Sequence, residues 1–314
     1  MEFALVFPGQ GSQAIGMMSA YGDAPVIRQT FNEASTALGR DLWRLVADGP
    51  AEALSQTVNT QPLMLAAGIA VYRLWLAQGG PRPSMVAGHS LGEYSALVAA
   101  GSMAFADAIP LVELRAKAMQ EAVRPGEGAM AAILGIDAAT VQAACAESAQ
   151  GQVVEAVNFN APEQIVIAGH AAAVQRAAAA CKSRGAKRAV MLPVSAPFHC
   201  SLMQPAAEIL RRRLATIELS EPEVPLVNNV DVACQTDPAR IKDALVRQAA
   251  APVRWVEIMQ MMAHQGITHV YECGPGKVLA GLVKRCTEGV VGGAMADAAG
   301  TEAALAVVKE GISC

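Results

Sequence analysis

Short apolar runs alternate with longer segments of helical spacing along the whole chain, and glycine and proline punctuate the boundaries. Residues 3–7, Phe-Ala-Leu-Val-Phe, form an uninterrupted apolar run, the pattern of a strand covered on both faces, and it ends in Pro8-Gly9-Gln10-Gly11-Ser12-Gln13. The pattern then predicts a helix over 61–77 closed by Gly79-Gly80, a strand over 84–87, a helix over 93–100 stopped by Gly101, and a helix over 106–123 closed by Pro125-Gly126. Strands alternating with helices in this way indicate an α/β class with a largely parallel sheet.

From residue 126 the rhythm changes. Strands are predicted over 129–136, 153–159, 164–168 and 189–194, with helices over 138–149 and 171–184. That order, β-α-β-β-α-β, is a ferredoxin-like unit. The expected architecture is therefore a large α/β hydrolase-like body with a parallel sheet and nucleophile elbow, residues 1–125 and 197–314, carrying an inserted ferredoxin-like α+β subdomain over 126–196. The body resumes with a helix, a strand, two helices, a strand over 268–273, the turn Gly274-Pro275-Gly276 and terminal helices. A cleft is expected where body and insert meet, and clefts of this kind bind ligands.

The chemistry concentrates first at Gly88-His89-Ser90-Leu91-Gly92, between the 84–87 strand and the 93–100 helix. So tight a strand-to-helix turn needs glycine on both sides of the serine, and it presents Ser90 Oγ at the carboxyl edge of the sheet beside a helix N-terminus that favours negative charge. A glycine-rich turn that merely contains a serine is the alternative. His89 is not expected to serve as base, because adjacent side chains leaving a strand point in opposite directions; it reads as a hydrogen-bonded histidine tucked under the elbow.

Composition narrows the field. Of 314 residues, 53% are hydrophobic and 17% charged, so the chain is ordered throughout, and a net charge of −4 argues against a nucleic-acid partner. The seven cysteines are scattered without a C-x-x-C pair and read as reduced thiols of a cytoplasmic protein. The N-terminus lacks the basic lead and long apolar run of a signal peptide. Residues 53–72 carry no charge but include Ser55, Gln56, Asn59, Gln61 and Pro62, which predicts a buried helix rather than a membrane span. The five histidines form no recognisable ligand set with the cysteines, so no metal is expected.

A serine nucleophile needs a base. His199 stands where the insert hands the chain back to the body, at the mouth of the expected cleft; from position alone it is either that base or a packed histidine. Arg115 shares one helix face with Leu111 and Met119, whereas Glu113, Lys117 and Glu121 lie almost opposite. An arginine on an apolar face either snorkels to solvent or is a buried cation awaiting an anion, and the placement of the other charges favours the second.

Five motifs in order, Phe7-Pro8-Gly9-Gln10-Gly11-Ser12-Gln13, Gly88-His89-Ser90-Leu91-Gly92-Glu93, Arg115 in its helix, Asn158-Phe159-Asn160-Ala161-Pro162 and Ala196-Pro197-Phe198-His199, resemble the malonyl-CoA:acyl carrier protein transacylases of bacterial type II fatty acid synthesis. The resemblance runs almost end to end. It implies malonyl-CoA and an acyl carrier protein as partners and no metal or redox cofactor; a monomer is one expectation, with the oligomeric state left open. It makes Ser90 the nucleophile and His199 the base, oriented by a main-chain carbonyl that falls at Gln248. It places the oxyanion hole at the amides of Gln10 and Leu91, and it assigns Arg115 the free carboxylate of malonyl. Leu91 and Phe198 fit an unbranched malonyl group rather than a methylmalonyl one, although one methyl is worth only about 1 to 3 kcal/mol. Asn160 either touches the substrate or pantetheine arm or simply shapes its Asn-Ala-Pro turn. Lys182, Arg184, Lys187 and Arg188, or Arg211-Arg212-Arg213, are candidate contacts for an acidic carrier protein. The rival readings are a stand-alone malonyl acyltransferase of a polyketide synthase, a GxSxG serine hydrolase, which would want an acid behind the histidine, and a non-catalytic carrier-binding module.

Overall fold

In the computed structural model, which describes residues 1–313, the apolar run becomes β1 (Phe3–Phe7), with every residue buried. It is followed by α1 (Pro25–Leu38), α2 (Leu42–Asp48), α3 (Ala51–Leu54), α4 (Thr57–Ala77), β2 (Met85–Gly88), α5 (Gly92–Ala99) and α6 (Phe105–Glu121). Next come β3 (Gly128–Leu134), α7 (Ala138–Ser148), β4 (Val154–Ala161), β5 (Gln164–His170), α8 (Ala171–Ser183) and β6 (Arg188–Met191). The chain continues with α9 (Gln204–Leu214), β7 (Leu226–Val227), α10 (Pro238–Gln248), α11 (Trp255–His264), β8 (His269–Glu272), α12 (Val278–Cys286), β9 (Val291–Ala294) and α13 (Ala298–Ser313).

Two sheets result. The first, in the order β7-β2-β1-β8-β9, is parallel at every pairing and has helices on its faces, the arrangement that makes β1 and β2 read as unbroken apolar runs. The second, in the order β4-β5-β3-β6, is antiparallel and has the ferredoxin-like topology, with α7 and α8 packed on one face. Val253, between α10 and α11, shares an apolar cluster with Ala4 and Val6 of β1 and bonds to β4: its N–H donates to the Val157 carbonyl at 2.8 Å and its carbonyl accepts from the Phe159 N–H at 3.0 Å.

Differences from the sequence reading have local causes. α4 begins at Thr57 rather than 61, because its polar first turn is satisfied by the preceding segment: Asn59 Nδ2 donates to the Ala53 carbonyl at 2.8 Å and Thr60 Oγ1 to the Leu54 carbonyl at 2.7 Å. Pro62 lies inside this helix without breaking it. The carbonyl its missing N–H leaves free, that of Val58, accepts from Arg40 Nη2 at 3.4 Å. β9, Val-Gly-Gly-Ala, was not foreseen, since a glycine-rich edge strand has no side-chain pattern and exists through its main-chain pairing with β8. The six described cysteines are free thiols, and Cys314 lies outside the described residues. Among the described residues no helix is long and apolar enough to cross a membrane, and no cluster of three or more His, Cys, Asp or Glu side chains could hold a metal ion.

Candidate active site

The parallel sheet places two tight turns side by side at its carboxyl edge. One follows β1, the other follows β2, and β1 and β2 are hydrogen-bonded neighbours. The second turn is the elbow. A Cβ on Gly88 would stand 1.9 Å from the Gly92 main chain, and one on Gly92 would stand 2.0 Å from the Phe7 carbonyl oxygen, so both positions exclude a side chain. Between them Ser90 sits at φ 53, a left-handed conformation that a non-glycine residue holds only where its surroundings fix it.

Those surroundings are specific. The Ser90 N–H donates to Asn229 Oδ1 at 2.8 Å, and the Ser90 carbonyl accepts from Gln248 Nε2 at 2.9 Å. Its Oγ lies 2.7 Å from His199 Nε2 and accepts from Arg115 Nη2 at 3.1 Å. His199 Nδ1 lies 2.8 Å from the Gln248 carbonyl oxygen. A carbonyl can only accept, so Nδ1 carries the proton and Nε2 presents its lone pair to the serine hydroxyl. Among the described residues no carboxylate touches this histidine. Burial first, then the Arg115 charge, pushes its pKa down to about 3, leaving the imidazole neutral at ordinary pH. His199, like Ser90, is held in the left-handed region, at φ 66.

Arg115 is buried with its helix neighbours Leu111 and Met119, while Glu113 and Lys117 on the other face form an ion pair at 2.9 Å. Its guanidinium is shared by neutral oxygens: Nη1 donates to Gln61 Oε1 at 2.8 Å and Nη2 to Gln248 Oε1 at 3.0 Å. It also stands over the Tyr94 ring, 5.4 Å from the centroid. Burial draws its pKa below the ordinary value, yet guanidinium stays charged. Among the described residues no carboxylate pairs with it and its Nε has no hydrogen-bond acceptor. A buried cation of this kind has the valence for an incoming anion.

These groups line a cleft of about 480 Å³ between the two sheets. Gln10 and Leu91 border it from the two turns, and among the described residues neither amide donates to a protein acceptor. Gln10 is steadied by its side chain, whose Nε2 donates to Thr57 Oγ1 at 3.2 Å. Phe198, Met130 and Leu192 form the apolar wall on the insert side. Asn160 does not border the cleft; its Oδ1 accepts from His89 Nε2 at 2.8 Å, and His89 packs on Trp255, tucked under the elbow. The asparagine that does border the cleft is Asn158, whose buried Oδ1 has no partner. Asn229 escaped the sequence reading altogether, and Gln61, Asn158 and Glu93 were named there only within longer runs, without a role in the site. Asn229 carried a usable signal, since it follows the apolar pair of β7 at the same carboxyl edge. Of the basic candidates, Arg184 is paired with Glu147, and Arg211 and Arg212 with Glu208; Lys182, Lys187 and Arg188 make no ion pair among the described residues.

Residues 4–303 match the acyl transferase domain family. The chain belongs to that family. Within it, the chain is 57% identical over 305 residues to the malonyl CoA-acyl carrier protein transacylase of Salmonella typhimurium, covering 97% of this chain and 99% of that one. The acyl-carrier-protein S-malonyltransferase of Burkholderia pseudomallei superposes with a TM-score of 0.96 at 59% identity, covering 98% of this chain and 100% of that one. A structure of a type II PKS acyl-carrier protein in complex with its malonyl-transacylase gives a TM-score of 0.96 at 52% identity, with the same coverage.

Proposed function

We propose that this acyltransferase moves malonyl from malonyl-CoA to the phosphopantetheine thiol of an acyl carrier protein through a malonyl ester on Ser90. The observation that carries the reading is the pairing of a polarised serine with a buried arginine that lacks an anion, 3.1 Å apart. Ser90 Oγ attacks the thioester carbonyl while His199 Nε2 takes its proton; the C–S bond breaks and the imidazolium returns the proton to the CoA thiolate. The carrier thiol then repeats the sequence in reverse. The amides of Gln10 and Leu91 meet the oxyanion of each tetrahedral intermediate, each donor being worth roughly a hundred- to thousandfold in rate. Arg115 takes the distal carboxylate with two parallel hydrogen bonds, and Phe198 and Leu91 limit the room beside it.

A dyad without an acid suffices because a thiol, with a pKa of about 8.5, is far easier to deprotonate than water. This weighs against a hydrolase, which would use water and gain from a carboxylate behind His199. The relatives' names support fatty acid synthesis as the setting. The relative solved with a type II PKS carrier protein keeps a polyketide pathway as the alternative. The reading calls for no metal or redox cofactor, and the unpaired thiols favour the cytoplasm. Incubation with malonyl-CoA and a phosphopantetheinylated carrier protein of fatty acid synthesis should yield malonyl carrier protein and free CoA in equal amounts. Release of free malonate instead would make the protein a hydrolase, and preference for a polyketide carrier protein would favour the alternative pathway.

A further inference from the structure

Glu93 neither borders the cleft nor pairs with a cation among the described residues, yet it is buried beside the elbow. Its Oε2 accepts from the Asn229 N–H and from Gln248 Nε2, both at 3.0 Å. Those are the two residues that grip the Ser90 peptide groups. Asn229 receives the Ser90 N–H and passes its own Nδ2 to the Gly88 carbonyl at 2.7 Å, while Gln248 Nε2 is shared with the Ser90 carbonyl. A carboxylate only accepts, so it also decides which way the Gln248 amide faces: Nε2 toward Glu93 and Oε1 toward Arg115. Without the charge that preference weakens, and a turned amide would set an N–H against the guanidinium.

We propose that Glu93, in its ionised form, is a positioning residue for Ser90, holding Asn229 and the Gln248 amide so that the left-handed serine and the Arg115 guanidinium keep their places. The inference rests on the reading of Ser90 as nucleophile. The charged and titratable groups facing Glu93 are Arg115 from α6, Tyr94 beside it on α5, Asp231 from the loop after β7, and His199 behind the Gln248 carbonyl. Burial raises the Glu93 pKa to about 7, against the weaker pull of its hydrogen bonds and of Arg115.

The test measures Ser90 reactivity in wild type and Glu93→Gln, which keeps the shape and one acceptor oxygen while removing the charge and putting an NH2 donor in place of the other oxygen. Phenylmethylsulfonyl fluoride forms an Oγ–S bond at an activated serine and expels fluoride without needing malonyl recognition; malonyl-CoA loading runs in parallel. His199 stays neutral across the range, so the wild-type rate should rise through about pH 7 as Glu93 ionises. Glu93→Gln should be flat and about tenfold slower on the alkaline side, the difference between charge-assisted and neutral hydrogen bonds. A variant as fast as wild type, or one slower by the same factor at every pH with the wild-type limb intact, would overturn the proposal. Should the variant fail to fold, Asn229→Ala, which removes the clamp that Glu93 holds against the Ser90 N–H, should slow sulfonylation by a similar factor, and an Asn229→Ala protein as fast as wild type would overturn the proposal. Sulfonylation that behaves as expected in a protein that never loads malonyl would leave the positioning role standing and sink the malonyl reading.

Discussion

Arg115 Nη2 reaches Ser90 Oγ at 3.1 Å while the same nitrogen donates to Gln248 Oε1 and Nη1 donates to Gln61 Oε1, so two neutral amides fix the guanidinium against the serine. The hydroxyl therefore donates to His199 while accepting from a cation, and an acyl group on Oγ would carry its distal carboxylate back toward the same guanidinium.

Arg115→Ala should change which acyl group is used more than whether acyl transfer occurs. Stranding a buried carboxylate without its cation costs roughly 2 to 5 kcal/mol, so kcat/KM for malonyl-CoA should fall by tens to thousands of fold. Acetyl-CoA has no carboxylate to strand and should lose much less. Steady-state kinetics on both substrates in both proteins decide the matter; an equal loss would make Arg115 structural.

His199→Ala should reduce transfer by about a hundredfold or more, whereas His89→Ala, which removes a partner of Asn160 and Trp255, should do far less in a folded protein. The histidine also makes a pH prediction. With its folded pKa near 3 against an ordinary 6.5, the folded protein binds fewer protons than the unfolded chain between those values. Stability from this group is present above about pH 6.5 and is lost as pH falls toward 3. Melting curves of wild type should therefore drop more steeply over that window than those of His199→Gln. Parallel slopes would show that the imidazole is not buried neutral.

The sequence made visible what is local. The elbow needs only a strand, a helix and two glycines with no room for a Cβ, and all lie within a few residues of Ser90. Arg115 could be picked out because helical periodicity separates its face from the Glu113–Lys117 face. His199 was left open by position, and the resemblance supplied its role and the Gln248 carbonyl. The clamps were out of reach because they join distant segments: Glu93 meets Asn229 across 136 residues and Gln248 across 155. Nothing in a buried glutamate's own neighbourhood announces which distant amides will converge on it. Asn158 and Asn160 were close in sequence, but which of the two borders the cleft depends on where Trp255 and His89 pack.

The central claim is that Ser90 carries malonyl as an ester between donor and acceptor, and intact-mass analysis after mixing with malonyl-CoA alone tests it most directly. The first half-reaction needs only Ser90, His199, Arg115 and the two amides, so a single malonyl adduct should appear without any carrier protein, map to the peptide containing Ser90, and disappear on adding the carrier thiol. Labelling that persists in Ser90→Ala, or that maps to a cysteine, would contradict the account.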